Sequence, residues 1–268
     1  MTVPTAPGPA PRSAADRLLD VLAAFDQRNL ALSLTEISRR ADLPLATAHR
    51  LVGTLARWGA LERDEDGDYH IGLRLWELAS LAPRGVGLRE AAMPFLEDLY
   101  ELTHENVHFA VRDGVEVVYI ERISGRTAVK VRSQVGSRWP LHATGVGLVL
   151  LAHADAELQD RVCDWPMRAF TPHTVTDPAR LRRMLAQIRQ TGFAVSDRQI
   201  TTDALSVAAP VRGPRGEVAA AVSVVVHAED CRTQTLVPVV RVAARGISLA
   251  LGWKPDTEAA SPTAPVRR

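Results

Sequence analysis

The stretch from Ser33 to Gly59 constrains the fold more than any other part of the chain, because its residue order spells a helix, a tight turn and a second helix. Ser33-Leu34-Thr35-Glu36 has the form of a capping box. Serine and glutamate each satisfy an amide that the first helical turn leaves without a partner. A short helix with Ile37 inward follows, Ala41-Asp42-Leu43 supplies the turn, and Pro44 is expected as the first residue of the next helix, where its missing N–H costs nothing. In that second helix Ala48, Leu51, Val52 and Leu55 repeat at the spacing of a buried stripe. Thr47, Arg50, Thr54 and Arg57 fall on another face, beside Ala46 and Gly53, and Gly59 closes the helix.

Small and hydrogen-bonding side chains set among arginines suit a surface that lies close to base edges and phosphates. The next residues read as strand, turn and strand, over 60–63, 64–68 and 69–72. Such a wing turns a helix-turn-helix into a winged one and places Arg63 or Tyr69 near the DNA backbone or minor groove. The same pattern also fits a plain two-helix hairpin in a larger core, with Arg50 and Arg57 merely solvated.

The run Leu34-Thr35-Glu36-Ile37, then Leu43-Pro44, Thr47-Ala48-His49-Arg50-Leu51 and Gly59, resembles the DNA-binding domain of the IclR family of transcriptional regulators. The resemblance extends over residues 13–252. It is carried further by Val117-Val118-Tyr119-Ile120, Pro140-Leu141-His142-Ala143-Thr144, Thr171-Pro172-His173-Thr174 and Val207-Ala208-Ala209-Pro210.

Composition sets the outer limits. A chain of 268 residues has room for two domains or one large one. No uncharged apolar run of about eighteen residues occurs, so no membrane span is indicated. The N-terminus shows no basic-then-apolar leader; Pro4, Pro7, Pro9 and Pro11 mark an expected disordered lead-in. Cys163 and Cys231 lie in no CxxC, which argues against a disulfide framework or thiolate zinc site and for a cytoplasmic protein. A net charge of +1 does not announce nucleic acid, and residues 1–80 carry nine Arg against eleven Asp plus Glu. Charge is local, however: from Ile37 to Arg57 four arginines face Asp42 alone.

The remaining pattern runs in order. A helix over 14–27 supports the two described, 73–81 reads as a connecting helix, and Pro83-Arg84-Gly85-Val86-Gly87 marks a boundary. A long helix over 88–103 buries Ala91, Ala92, Phe95, Leu96 and Leu99, with Pro94 expected to kink it. Strands follow at 107–111 and 115–122 around Asp113-Gly114, and at 127–132, which alternates strictly. Helices at 144–153 and 178–191, a hairpin over 205–226 and a closing helix at 236–251 complete it. The expected class is α+β: a winged helix-turn-helix domain (13–72), a linker helix (73–87) and a GAF/PAS-like domain (88–253) whose antiparallel sheet is flanked by helices. Tails at 1–12 and 254–268 are expected to be disordered.

His104-Glu105-Asn106-Val107-His108 is a literal HExxH. Zinc-protease chemistry needs both histidines on one helical face, about 6 Å apart. Here the helical pattern is ending, and in a strand the two would stand roughly 13 Å apart. A metal-dependent hydrolase is therefore the weaker alternative. The turn from His142 to Gly147 is the better candidate site. With Thr144 as cap, the amides of Gly145, Val146 and Gly147 point outward, an arrangement that favours a carboxylate or other anion. The same cap also fits an ordinary core helix.

The IclR resemblance tips that balance. It implies an effector pocket at Gly145, Val146, Ser196, Asp197, Ser206 and Ser223, with His142, Thr144 and Gly147 beside it. It also shows departures: Ser206 stands where cysteine is common, Ser196 where an acid is frequent, and Val225 where a second serine often follows. Leu45 and Ala46 replace a lysine and a serine on the DNA side. The resulting expectation is a regulator without a cofactor, controlled by a small organic acid or aromatic metabolite. Thr47, Arg50 and their neighbours Leu45, Ala46, His49 and Thr54 read the major groove. Arg39, Arg40, Arg57 and Arg63, with Tyr69 on the wing, hold or flank phosphate. Partners are a partly palindromic operator in double-stranded DNA, the effector, and further copies of the chain as a homodimer or dimer of dimers. A DNA-binding protein whose second domain only oligomerises is the other alternative.

Overall fold

A computed structural model of the chain describes residues 12–82, 85–125, 128–229 and 233–255. The expected Pro-rich lead-in up to residue 11, the tail beyond 255, Pro83, Arg84, Thr127 and Cys231 lie outside the described residues. The chain divides between Val86 and Gly87 into two units.

Local hydrogen bonds set the helix limits of the first unit. Helix α1 (Ala14–Ala23) begins at a capping box between Ser13 and Asp16. It stops before residue 27, as read from the pattern, because the Asp26 carboxylate takes the amides of Arg28 and Asn29 out of helical register. Strand β1 (Ala31–Leu32) leads to α2 (Leu34–Arg40), whose Ser33–Glu36 box closes in both directions. Helix α3 (Leu45–Trp58) starts one residue later than expected. Pro44 is its cap, with an extended ψ of 141°, and its carbonyl accepts the amides of Thr47 and Ala48. Gly59 ends α3 at φ +87°, a conformation that costs a side chain about 1–2 kcal/mol. Ala48, Leu51, Val52 and Leu55 are buried with Val21, Ile37 and Leu61. The wing, β2 (Leu61–Arg63) and β3 (Tyr69–Ile71), gains β1 as a third strand on β3, too short to show a pattern in sequence. Helix α4 (Leu73–Ala79) is fastened to this unit by the Leu73 amide on Glu62 and by Arg74 over the Trp58 ring.

The second unit is built on one antiparallel sheet of six strands. Its elements are α5 (Val86–Thr103), β4 (Asn106–Asp113), β5 (Glu116–Ile123), β6 (Arg138–Pro140), α6 (Gly145–Ala152), α7 (Ala156–Asp164), α8 (Pro178–Thr191), β7 (Ala194–Asp197), β8 (Ala204–Arg212), β9 (Val218–His227) and α9 (Thr233–Ala250). Strand order is β6-β5-β4-β9-β8-β7. One face carries Val107, Phe109, Val207, Val211, Val222 and Val224, packed with apolar residues of α5 and α9. The other carries Ala110, Val117, Ala208 and Ala221, packed with α6, α7 and α8. The expected α+β organisation is present in both units.

One expected strand is not formed. Described residues 128–132 have no ladder partner, and the edge of β5 is taken by β6 instead. Side chains replace the ladder there: Asn106 Nδ2 donates to the Val129 carbonyl at 2.7 Å, and Arg122 donates to the Ser133 carbonyl at 3.0 Å. Strand β7 and helix α7 were missed in the sequence reading.

The buried stripe of α3 yields a test. Leu51→Ala should destabilise the first unit by roughly 2–5 kcal/mol. Hydrogen exchange of the α2 and α3 amides should accelerate in the full-length variant while that of β4, β8 and β9 stays as in the wild type.

Candidate DNA-reading surface and ligand pocket

On α3 the residues opposite the buried stripe are open to solvent. Leu45, Ala46, His49, Arg50 and Arg57 are exposed, and Thr47 and Thr54 half-buried. Thr54 donates its hydroxyl back to the Arg50 carbonyl at 3.0 Å, which leaves its oxygen as an acceptor; Arg57 leans on Gly53 and Thr54. Arg39 is exposed on α2. Two of the expected phosphate ligands have other partners. Arg40 donates to the Ala24 carbonyl and pairs with Asp26, so it ties α2 to the end of α1. Arg63 donates to the Gly67 carbonyl at 2.9 Å and lies over the Tyr69 ring, which pins the wing turn; Tyr69 packs on the core of the unit. The freest cations of the set are thus Arg39, Arg50 and Arg57. Arg12, not singled out in sequence, bridges Asp20 and Asp42.

In the second unit the sheet face under α6 changes character at the start of that helix. Ala110, Ala208 and Ala221 lie in the apolar core with α6, whereas His108, Ser223, Ser206 and Ser196 line a cavity. The strand register brings them together: His108 faces Ser223 across β4 and β9, and Ser206 faces Ser196 across β8 and β7. Tyr119, Ser133, Trp139, Thr144, Gly145 and Val146 add further wall. Thr144 caps α6 by accepting the Gly147 amide at 3.0 Å. That bond removes Gly147 from the expected set of outward amides, leaving Gly145 and Val146.

Two other expected pocket residues lie elsewhere. His142 is buried with Nε2 at 3.0 Å from the Arg168 carbonyl and faces a separate groove beside Trp165; burial lowers its pKa. Asp197 is exposed beside Arg198. Ser196 lines the cavity but donates its hydroxyl to the Ala143 carbonyl at 3.0 Å, fixing the strand that enters α6. Sequence reading missed His108, Tyr119, Ser133 and Trp139. Only the alternation of β4 and β5 hinted at the first two, since it puts His108 opposite the face of Val107 and Phe109.

His108 is the most perturbed group of the cavity. It is fully buried, its Nε2 lies 3.0 Å from the Ser133 hydroxyl, and its ring meets Tyr119 edge-on at 5.1 Å. Burial pushes its pKa down to about 3, with the Arg122 guanidinium acting in the same direction. Burial likewise raises the Tyr119 phenol, which a hydrogen bond with Thr144 partly offsets. The HExxH reading fails on backbone geometry. His104 sits at φ +53° just past α5, and β4 begins at Asn106, so no helical face presents both histidines. Among the described residues no cluster of three His, Cys, Asp or Glu side chains is placed to hold a metal. No described helix is long and apolar enough to cross a membrane.

Comparison with known proteins finds a match for each of the two units. Residues 82–249 match the C-terminal domain of bacterial IclR transcriptional regulators, and residues 14–65 the IclR helix-turn-helix domain. The HTH-type transcriptional regulator BhcR of Paracoccus denitrificans (strain Pd 1222) is 34% identical, over 91% of this chain and 88% of that protein. The HTH-type transcriptional repressor AllR of Klebsiella pneumoniae is 32% identical, over 91% and 92%. Among solved structures, an IclR homolog from Microbacterium hydrocarbonoxydans complexed with 4-hydroxybenzoate is 38% identical, with a TM-score of 0.86 over 89% of this chain and 99% of that one.

His108 makes stability depend on pH. An unfolded imidazole titrates near 6.5 and the folded one near 3, so protons favour the unfolded chain. The stability that rests on neutral His108 is fully present above about pH 6.5 and is lost by about 1.4 kcal/mol per unit as pH falls toward 3. Between pH 6.5 and 5 the wild type should lose about 2 kcal/mol more than His108→Gln, read from the thermal transition of the second unit.

Proposed function

Because the chain belongs to the IclR family of bacterial transcriptional regulators, we propose that α3 enters the major groove of an operator under the control of a ligand in the α6 pocket. A DNA-binding regulator controlled by a small-molecule effector is what the family match supports. The observation that carries the DNA reading is the division of α3 itself, with an apolar stripe on one side and exposed Leu45, Ala46, His49 and Arg50 on the other. On this reading Thr47 and Arg50 contact bases, and Arg39 and Arg57 contact phosphate. Arg40 and Arg63 act indirectly, by holding α2 and the wing in place. Relatives are named as regulators, and we read this chain likewise as a non-enzyme that works in the cytoplasm, where its DNA is.

A homodimer is the functional unit in this proposal. Helix α4 leaves Leu73 and Trp76 64% and 67% exposed, and Leu81 beyond it 75%, an apolar surface that a second copy would cover. Two copies related by a two-fold axis match a partly palindromic operator, and dimers pair further into tetramers. The effector is proposed to be a carboxylate. The N-terminus of α6 suits one, and 4-hydroxybenzoate, bound by the Microbacterium relative, is one. Control requires that ligand favour one arrangement of the DNA-binding units over another.

Fluorescence anisotropy against DNA from upstream of the protein's own gene, with random competitor at fixed salt, tests the assignment. Arg50→Ala should weaken selective binding roughly tenfold or more. Arg39→Ala should weaken specific and random DNA alike and flatten the salt dependence. Retention of full selectivity in Arg50→Ala would show the recognition face to be misassigned. Trp76→Glu should shift the protein toward monomer in sedimentation velocity; an unchanged profile would remove α4 from the interface.

A further inference from the structure

The groove beside Trp165 shares no residue with the α6 cavity, and it gathers groups that packing leaves without partners. Trp165 ends α7 with an extended backbone and is 77% exposed. Trp58, Trp139 and Trp253 each meet a guanidinium or a second ring, whereas Trp165 meets neither among the described residues. It lines the groove together with Pro140, Pro166 and Met167. The volume is about 570 Å³, within the roughly 300–1,000 Å³ of clefts that hold small molecules. An exposed indole on such a wall is a stacking platform for a planar ring.

A buried polar group faces the same space. His142 is 4% exposed, lines the groove, and brings Nε2 to 3.0 Å from the Arg168 carbonyl. A carbonyl only accepts, so Nε2 carries the proton and Nδ1 of the neutral ring keeps its lone pair. Burial lowers the His142 pKa and so favours that neutral form. No described residue donates to Nδ1, which leaves an acceptor in a nearly closed setting. A ligand donor placed there gains more than it would at an open surface.

The rim supplies charge. Arg161 and Arg168 are exposed and form no ion pair among the described residues, and Asp164 stands on the same wall. The Arg168 guanidinium lies over the Phe170 ring at 4.9 Å, which steadies it without using its N–H donors. Guanidinium forks match pairs of phosphate oxygens. A carboxylate, which only accepts, suits sugar hydroxyls.

We propose that this groove is a second ligand site, built for a mononucleotide. The base stacks on Trp165 and donates an N–H to His142 Nδ1. The phosphate lies on Arg161 and Arg168, with the ribose hydroxyls toward Asp164. A ligand with ring, donor, hydroxyls and phosphate uses every one of these groups, and it gives the second unit an input separate from the α6 cavity.

Titration calorimetry of the full-length protein with AMP, GMP, CMP and UMP tests this, with the four nucleosides, inorganic phosphate and 4-hydroxybenzoate as controls. At least one nucleotide should bind roughly tenfold or more tighter than its nucleoside and than either other control. Trp165→Ala, at an exposed position, should weaken that nucleotide by roughly tenfold or more. Joint Arg161→Gln and Arg168→Gln should reduce it to the level of the nucleoside. His142→Gln, whose amide can still donate to the Arg168 carbonyl, should weaken it severalfold. Binding by none of the four nucleotides would overturn the proposal. A nucleotide that binds the Trp165 and double-arginine variants as well as wild type has its site elsewhere, which refutes the groove. Tighter binding of a nucleoside or of 4-hydroxybenzoate that is lost in Trp165→Ala refutes the nucleotide class. Self-association without ligand that Trp165→Ala abolishes assigns the groove to a second copy of the chain and also refutes it.

Discussion

The first turn of α6 lies so close to its surroundings that neither Gly145 nor Gly147 has room for a side chain, and the organisation of the second unit follows from that contact. A methyl on Gly147 would stand 2.4 Å from the Leu141 carbonyl oxygen, and one on Gly145 would meet Ser206. Two helical glycines cost up to about 2 kcal/mol relative to alanine. Burial of Leu148, Val149, Leu150 and Leu151 against the sheet and the Thr144 cap oppose that cost. The small residues Ala110, Ala208 and Ala221 lie in the same core cluster and let the helix sit low. Where α6 begins, its cover ends, and the remaining sheet face can be polar without burying unpaired groups under a helix. The pocket is the uncovered part of a face that is otherwise core.

In the first unit the economy of charge is equally tight. The balance of residues 1–80 is acidic, yet the acids are placed where they fasten structure: Asp16 and Glu36 in capping boxes, Asp26 on Arg40, and Asp20 and Asp42 on Arg12. Hydrogen bonds to Asp26 hold its carboxyl down to about 2, so this fastening persists at any working pH. What is left unpaired on the α3 side is a small set of arginines. On the proposed reading, a surface with so few free cations among the described residues draws little on bulk attraction to phosphate, and the joint binding of several copies would supply affinity instead.

Legibility in the sequence tracked how local the determining interaction was. The capping box at Ser33, the stripe of α3 and the amphipathic period of α8 were readable because each signal sits within a few residues of its effect. Boundaries failed where a single side chain intervened, as at Asp26, or where proline served as cap and not as first residue, as at Pro44. The stretch 127–132 alternates like a strand, yet the carbonyls of Val129 and Ser133 are taken by side chains of Asn106 and Arg122, which no period reveals. The pocket was half legible. Gly145 and Val146 follow a visible cap, and Ser206 and Ser223 came from family resemblance. His108 was read only as part of a metal motif, because strand pairing brings it Ser223 and Tyr119, and a loop brings it Ser133, all from far along the sequence.

That register also separates what the core requires from what sets the polarity of the cavity. In β4, β8 and β9 the residues facing α5 and α9 include Val107, Phe109, Val207, Val222 and Val224, and a one-residue slip would turn all of them outward. The core therefore locks the register, and the register fixes the positions at 108, 206 and 223 on the opposite face. Substitutions at those positions alter the polarity of the cavity without altering the valine-rich side. Position 206 is of that kind, since its hydroxyl stands beside Gly145 while the neighbouring Leu205 and Val207 lie in the core. A sheet whose valine-rich face carries the core can thus keep its register while the polarity of its other face changes one residue at a time.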